Sequence, residues 1–155
     1  MLAGYSWRQK CFRIWKLLYD SHIGKFTFQP SSPWRGDGQE EKVIAFIGDE
    51  GPIAEAKRRL VIRLREKNRL TSGGLNMEPF EVLRDIIRSK QFPTVGGAPQ
   101  VVKIYEHMNC APFGVYWPDR KGYATVFGRP LLHYEKSEWG VIDPDKPDDL
   151  PVRAR

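Results

Sequence analysis

The feature that most constrains this fold is a change of pattern around residues 92–99. Upstream of it, apolar side chains recur every three or four positions in three segments, 5–19, 52–68 and 76–90, a spacing typical of amphipathic helices. Downstream, short apolar pieces are bounded by Pro, Gly and Asp, a pattern typical of strands. This order predicts an α+β fold with about three helices packed on one face of a largely antiparallel sheet.

Each predicted helix has an apolar stripe and its own end signals. In the first, Trp7, Cys11, Ile14, Trp15 and Leu18 form the stripe. The second should begin near Asp49 and Pro52, and the third should be capped by Asn76. The residues expected to point inward from the second and third helices are Ile53, Ala56, Leu60, Val61, Leu64, Phe80, Leu83, Ile86 and Ile87.

The strands predicted by apolar or alternating patterns are short. The continuous apolar run 43–47 indicates a strand that is covered on both faces. A Ser, Pro and Gly-rich loop is expected over 31–41. The other strands are expected at 25–30, 100–107, 113–117, 123–128 and 139–142, with a further candidate at 131–134.

The chain has 155 residues, which is long enough for one domain with a continuous core. We interpret residues 1–142 as a single domain and 143–155, which are rich in Pro and Asp, as a flexible tail. The net charge is +6, but residues 137–155 carry −2 and the remainder carries +8. A basic body favours partners that are polyanions or acidic proteins.

The two cysteines, Cys11 and Cys110, lie far apart and form no CxxC pair. This spacing is not that of a disulfide framework or a structural zinc site, so no metal and no cofactor are predicted. No apolar run approaches the length of a membrane span, which predicts a cytoplasmic protein that does not interact with membranes.

The second predicted helix is the most basic segment, with a net charge of +5 over residues 52–69. At 100° per residue, Arg58, Arg65 and Arg69 share one outward stripe, while Arg59 and Arg63 lie on another flank. Ion pairs along the helix are expected between Glu55 and Arg59 and between Arg63 and Glu66. The helix is either a solvated face or a docking surface for phosphates or an acidic partner.

The segment RKGYATVF, residues 120–127, partly resembles the RNP1 octapeptide of RNA-recognition motifs. The matching positions are Lys121, Gly122, Tyr123, Ala124 and Val126. Thr125 and Gly128 replace two aromatic residues of that pattern, and the family's next helix is replaced by predicted strands and turns. We therefore interpret the segment as a hairpin turn, with Arg120, Lys121 and Tyr123 as candidate binding residues.

The only grouping with catalytic potential is His107, Asn109 and Cys110, to which His133 is added if neighbouring strands bring it close. A cysteine nucleophile needs an imidazole within hydrogen-bond reach. No family-specific pattern surrounds Cys110, and its place beside Ala and Pro favours a packing role near a turn.

Three functions follow from these observations. The sequence favours a small basic binding module that engages nucleic acid or another polyanion through the Arg/Lys-rich helix. The alternative is a protein-interaction subunit or homo-oligomer that uses exposed aromatic residues. The least favoured is a small enzyme centred on Cys110, His107 and His133. An exposed apolar patch would indicate a protein partner, whereas a contiguous basic face with aromatics would indicate nucleic acid.

Overall fold

The computed structural model describes residues 1–31, 34, 42–71, 74–107, 109–135 and 138–149. Most of the loop predicted over 31–41 and the last six residues of the predicted tail lie outside these described residues. Within them, the chain forms an N-terminal three-stranded sheet, a pair of helices and a second, five-stranded sheet.

The N-terminal region is a β-meander, so the predicted helix over 5–19 is wrong. Strands β1 (Leu2–Ser6), β2 (Cys11–Asp20) and β3 (Lys25–Pro30) pair antiparallel in that order. In β2 the apolar residues satisfy a spacing of two as well as a spacing of three or four. Its aromatic and β-branched residues favour the strand, and pairing on both sides stabilises it. The predicted strand at 25–30 is confirmed.

The two predicted central helices are present as α1 (Glu50–Glu66) and α2 (Glu78–Ser89). Asp49 occupies the N-cap position of α1, without a capping bond from its side chain. For α2 the N-cap is Met77 and not the predicted Asn76, whose side chain instead donates to Asp148 at 2.9 Å.

The strand predicted at 43–47 is wrong, because this segment has no sheet neighbour and runs as irregular chain into α1. Ile44 and Phe46 pack against the helices, whereas Val43 and Ile47 are exposed. The apolar run therefore covers one side of the helix pair and is not enclosed on both faces. Next to it, Trp34 and Lys42 form an isolated antiparallel bridge.

The second sheet contains most of the strands predicted downstream of the helices. They are β4 (Val101–Ile104), β5 (Cys110–Trp117), β6 (Tyr123–Val126), β7 (Arg129–Pro130) and β8 (Val141–Ile142). The order is β4-β5-β6-β7, all antiparallel, and β8 pairs parallel with β5. A two-residue strand at 129–130 replaces the candidate strand at 131–134.

Helix α2 lies between the two parts of the core. Val82 and Ile86 pack against Leu60 and Leu64 of α1. Phe80, in the first turn of α2, packs instead with Val115 and Ile142 of the second sheet. Leu83, which was predicted to point inward, is 39% exposed, because the inward face of α2 is shifted toward Val82.

The α+β class is thus confirmed, and the described residues form two helices rather than about three, together with two mostly antiparallel sheets. None of the helices in the described part of the chain is long and apolar enough to cross a membrane.

Candidate interaction surfaces

One face of the meander carries an apolar surface that the protein leaves open. Residues directly opposite each other on paired strands point to the same face, and the register pairs Leu2 with Trp15, Leu17 with Phe28 and Tyr19 with Phe26. These six residues are called the aromatic face: Leu2, Trp15, Leu17, Tyr19, Phe26 and Phe28. The rings of Tyr19 and Phe26 are in contact: their centroids lie 5.3 Å apart, and the angle between the ring planes is 65°.

The aromatic face is exposed because the strands of the meander make their extensive contacts with one another and not with the other named helices and strands. Phe28 is 74% exposed, Leu2 70% and Phe26 69%. Tyr19 and Leu17 are also more than half exposed, whereas Trp15 is half-buried. At the same end of the meander, the opposite face carries the more polar set Lys16, Leu18, Asp20, Lys25, Thr27 and Gln29. The meander is therefore amphipathic, and its apolar side is left exposed by the part of the chain that the structure describes.

Acidic residues engage much of the basic helix, for which the sequence predicts either a solvated face or a docking surface. Arg58 and Arg59 both donate to Glu55, at 2.8 and 2.6 Å. These hydrogen bonds hold the pKa of Glu55 down at about 2. The predicted pairs Glu55–Arg59 and Arg63–Glu66 are thus confirmed, the second at 3.5 Å.

Carboxylates of α2 engage the other flank of the helix. Arg63 donates to Asp85 at 2.9 Å and lies 3.4 Å from the nearly buried Glu81. Arg69 donates at 2.9 Å to the fully buried carboxylate of Glu78. Arg65, from the predicted outward stripe, is exposed. Of the three arginines on that predicted stripe, Arg58 pairs along the surface of α1, whereas Arg69, which lies beyond the end of α1, pairs with a buried carboxylate of α2.

Residues 143–149, from the segment predicted to be a flexible tail, lie against both helices. Pro144 is fully buried, and its carbonyl accepts a hydrogen bond from Arg84. Asp145 pairs with Arg88 at 2.6 Å, and this hydrogen bond lowers its pKa. Asp148 lies 3.2 Å from Lys67, the C-cap residue of α1. The negative charge of the chain is concentrated toward its C-terminus, and carboxylates of this segment pair there with basic side chains of the helix region.

The turn with the RNP1-like residues leads from β5 into β6, as the hairpin interpretation predicts. A Cβ at Gly122 would overlap with the backbone carbonyl of Trp117, so this position requires glycine for space. Tyr123 is 74% exposed, and Arg120 is mostly exposed with Asp143 at 3.8 Å. Lys121 contributes its backbone N–H, which donates to Asp119 at 2.7 Å. The backbone of the turn therefore accounts for the glycine of the octapeptide match, Gly122.

The three candidate catalytic residues have separate surroundings. Cys110 is exposed at the start of β5, His107 stacks loosely on Trp7 at 5.8 Å, and the ring of His133 contacts that of Tyr134 at 5.3 Å. Within the described residues, no group of three or more His, Cys, Asp or Glu side chains could hold a metal ion. The geometry therefore adds no support to a nucleophile at Cys110.

A groove between α2 and β4 is a second open apolar surface that sequence reasoning missed. It has a volume of about 460 Å³, and Pro79 and Leu83 line one side while Val101 and Val102 line the other. Its two walls lie about twenty residues apart in sequence, so no local pattern predicts it. The aromatic face, in contrast, has a local signal, the alternation of apolar residues in 15–19 and 26–30.

Comparisons of the chain with models of protein families, with curated proteins and with solved structures find no match. A function is therefore inferred from the surfaces of the protein alone.

Proposed function

We propose that the protein is an interaction module that pairs with a second copy of itself through the aromatic face. The observation that carries the proposal is the exposure of large apolar residues on one face of a sheet that no described residue of the chain covers. A monomer rarely leaves such a contiguous apolar surface in water, since burial stabilises by about 25 cal/mol per Å².

The size of the aromatic face suits a modest dimer. Phe26, Phe28 and Tyr19 are 60–74% exposed, and an aromatic side chain presents roughly 150–250 Å². The three rings together thus expose roughly 300–500 Å², and the two leucines add to this area. Two copies bury twice that area, near the lower limit of about 1,200 Å² for specific interfaces. An interface of this size supports a dissociation constant on the order of 10 µM.

The charge on this surface is compatible with a second copy. Arg13 is the only charged residue among the strand positions that share the aromatic face, so two faces meet with little like-charge repulsion. The meander as a whole carries five Lys and Arg against one Asp over residues 1–31. This excess opposes association at long range, and salt screens it, so the dimer should become tighter as salt rises.

The experiment replaces two aromatic residues while keeping strand-forming side chains. Phe26→Thr/Phe28→Thr should shift the mass measured by light scattering after size exclusion from the dimer to the monomer at 100 µM. The control Gln29→Thr changes the same strand on its opposite face and should leave the dimer unchanged. A wild-type protein that stays monomeric at this concentration would overturn the proposal.

Binding of nucleic acid or another polyanion is a second candidate, and the charge of the meander is the observation that favours it. Arg8 and Lys10 are exposed in the turn after β1, next to Trp7, which is 54% exposed. Aromatic rings beside cations form stacking sites for unpaired bases. Fluorescence anisotropy with labelled single-stranded RNA and DNA tests this candidate. Binding that falls steeply with salt supports it, whereas no binding at low salt contradicts it.

A further inference from the structure

The groove between α2 and β4 follows a free edge of the second sheet. Among the described residues, β4 pairs only with β5, so its other edge has no strand neighbour. An exposed edge presents a row of backbone N–H and C=O groups to which another strand can bind.

The direction of the hydrogen bonds shows which residues of β4 present these groups. Just beyond β4, Tyr105 donates its backbone N–H to Asn109 at 2.9 Å, so alternate residues from Tyr105 backward face β5. Val102 therefore lies opposite Pro112 in a pair without hydrogen bonds, consistent with the missing N–H of proline. It follows that Val102 and Ile104 direct their N–H and C=O groups away from β5.

The groove lies between α2 and one face of the sheet, and it reaches this edge. Four consecutive residues, Gln100–Lys103, line it. Successive side chains of a strand point to opposite faces, so a groove that contacts all four residues reaches the edge of β4 as well as the face that carries Val101 and Phe113. The other wall is the first half of α2, where Leu83 is 39% exposed, and across from it Val102 is 49% exposed. A strand added to β4 would lie about 4.8 Å from it, inside the groove.

The lining also determines the chemistry of the occupant. Most lining residues are apolar, including Pro79, Phe80 and Phe113. Among the described residues of the lining, Lys103 is the only charged one, and its ammonium group lies 5.2 Å from the ring centroid of Tyr105. An apolar groove with one cation at its rim favours apolar side chains accompanied by a carboxylate.

We propose that this groove binds an extended segment of a partner protein, which adds to β4 as a further strand. Alternate side chains of the segment are apolar and enter the groove, and an acidic residue lies near Lys103. The outward N–H and C=O groups of Val102 and Ile104 bond to the backbone of the segment, as in β-strand addition. This site is separate from the aromatic face and does not depend on self-association.

The experiment uses a displayed library of random dodecapeptides, selected against the intact chain carrying Phe26→Thr/Phe28→Thr so that the aromatic face contributes little. The enriched peptides should show alternating apolar residues with Asp or Glu at one end. When these peptides are added, the changes in the amide chemical shifts of the protein, followed by NMR, should map to residues 100–104 and 77–83. No enrichment of such peptides, or shift changes confined to other surfaces, would overturn the proposal.

Two variants test the geometry of the best peptide from that selection. Val102→Pro removes an outward N–H that the β4–β5 ladder does not use, so the fold should persist while affinity falls at least tenfold. Its matched control, Val102→Thr, keeps the N–H and should change affinity less than threefold. Leu83→Glu, on the other wall, places a carboxylate in the groove and should also weaken binding at least tenfold. Unchanged affinity in folded Val102→Pro or in Leu83→Glu would contradict strand addition in this groove.

Discussion

The buried ion pair between Arg69 and Glu78 offers a test of how the loop before α2 is held. The carboxylate of Glu78 is fully buried, and it accepts hydrogen bonds from Arg69 at 2.9 Å and from the backbone N–H of Asn76 at 2.6 Å. Replacing Arg69 by Met removes the charged partner and leaves the acid in the interior. Breaking one side of a buried pair costs about 3–5 kcal/mol.

The expected cost lies at the lower end of that range, because the side chain of Arg69 is 34% exposed and water reaches the pair from that side. A loss of about 3 kcal/mol corresponds to a melting temperature lower by about 6–12 °C for a chain of this size. The double variant Arg69→Met/Glu78→Gln should regain part of the loss, because the buried group is then neutral and keeps the bond from Asn76.

Thermal and urea unfolding followed by circular dichroism measure these differences. The control is Arg58→Met, whose pair with Glu55 lies at the surface with the arginine 61% exposed, and which should lower stability by less than about 1 kcal/mol. A structural role for the buried pair is contradicted if Arg69→Met lowers stability no more than Arg58→Met, or if adding Glu78→Gln restores no stability.

Two further predictions concern the docked C-terminal segment and the turn before β6. Removing residues 143–155 should lower the melting temperature at pH 7 by several degrees relative to removing 150–155. Since the pKa of Asp145 is lowered in the folded state, its contribution is complete above its ordinary pKa of 3.8 and is lost as the pH falls below it. The difference between the two truncated chains should therefore shrink in acid, and a pH-independent difference would contradict the ion pair. Gly122→Ala should destabilise the protein by about 2 kcal/mol or more because of the overlap with backbone, whereas Gly96→Ala, which has open space around it, should have little effect in the same melting assay.

The parts of the fold that the sequence predicts are those in which one periodicity prevails. Helices α1 and α2 have apolar residues at helical spacing and few alternating ones, and both are present with bounds shifted by only a few residues. In 11–19 the apolar residues fit both periods, so only the long-range pairing of β2 with β1 and β3 distinguishes a strand from a helix.

The candidate sites follow the same division between local and long-range information. The pair Glu55–Arg59 is local and predictable, because residues four apart on a helix are neighbours. The pair Arg63–Asp85 joins residues of two helices. The sequence alone therefore does not show that this flank of α1 is engaged by the neighbouring helix. The groove likewise depends on how α2 and β4 pack, which a single sequence does not reveal.

The most direct measurement of the central claim is the mass of the unmodified protein in solution as a function of concentration. Sedimentation equilibrium from 1 to 200 µM should show a reversible rise from the monomer mass of 17.9 kDa toward twice that value. The midpoint should lie near 10 µM and move to lower concentration as salt is raised. A mass that stays at 17.9 kDa over the whole range would contradict pairing through the aromatic face.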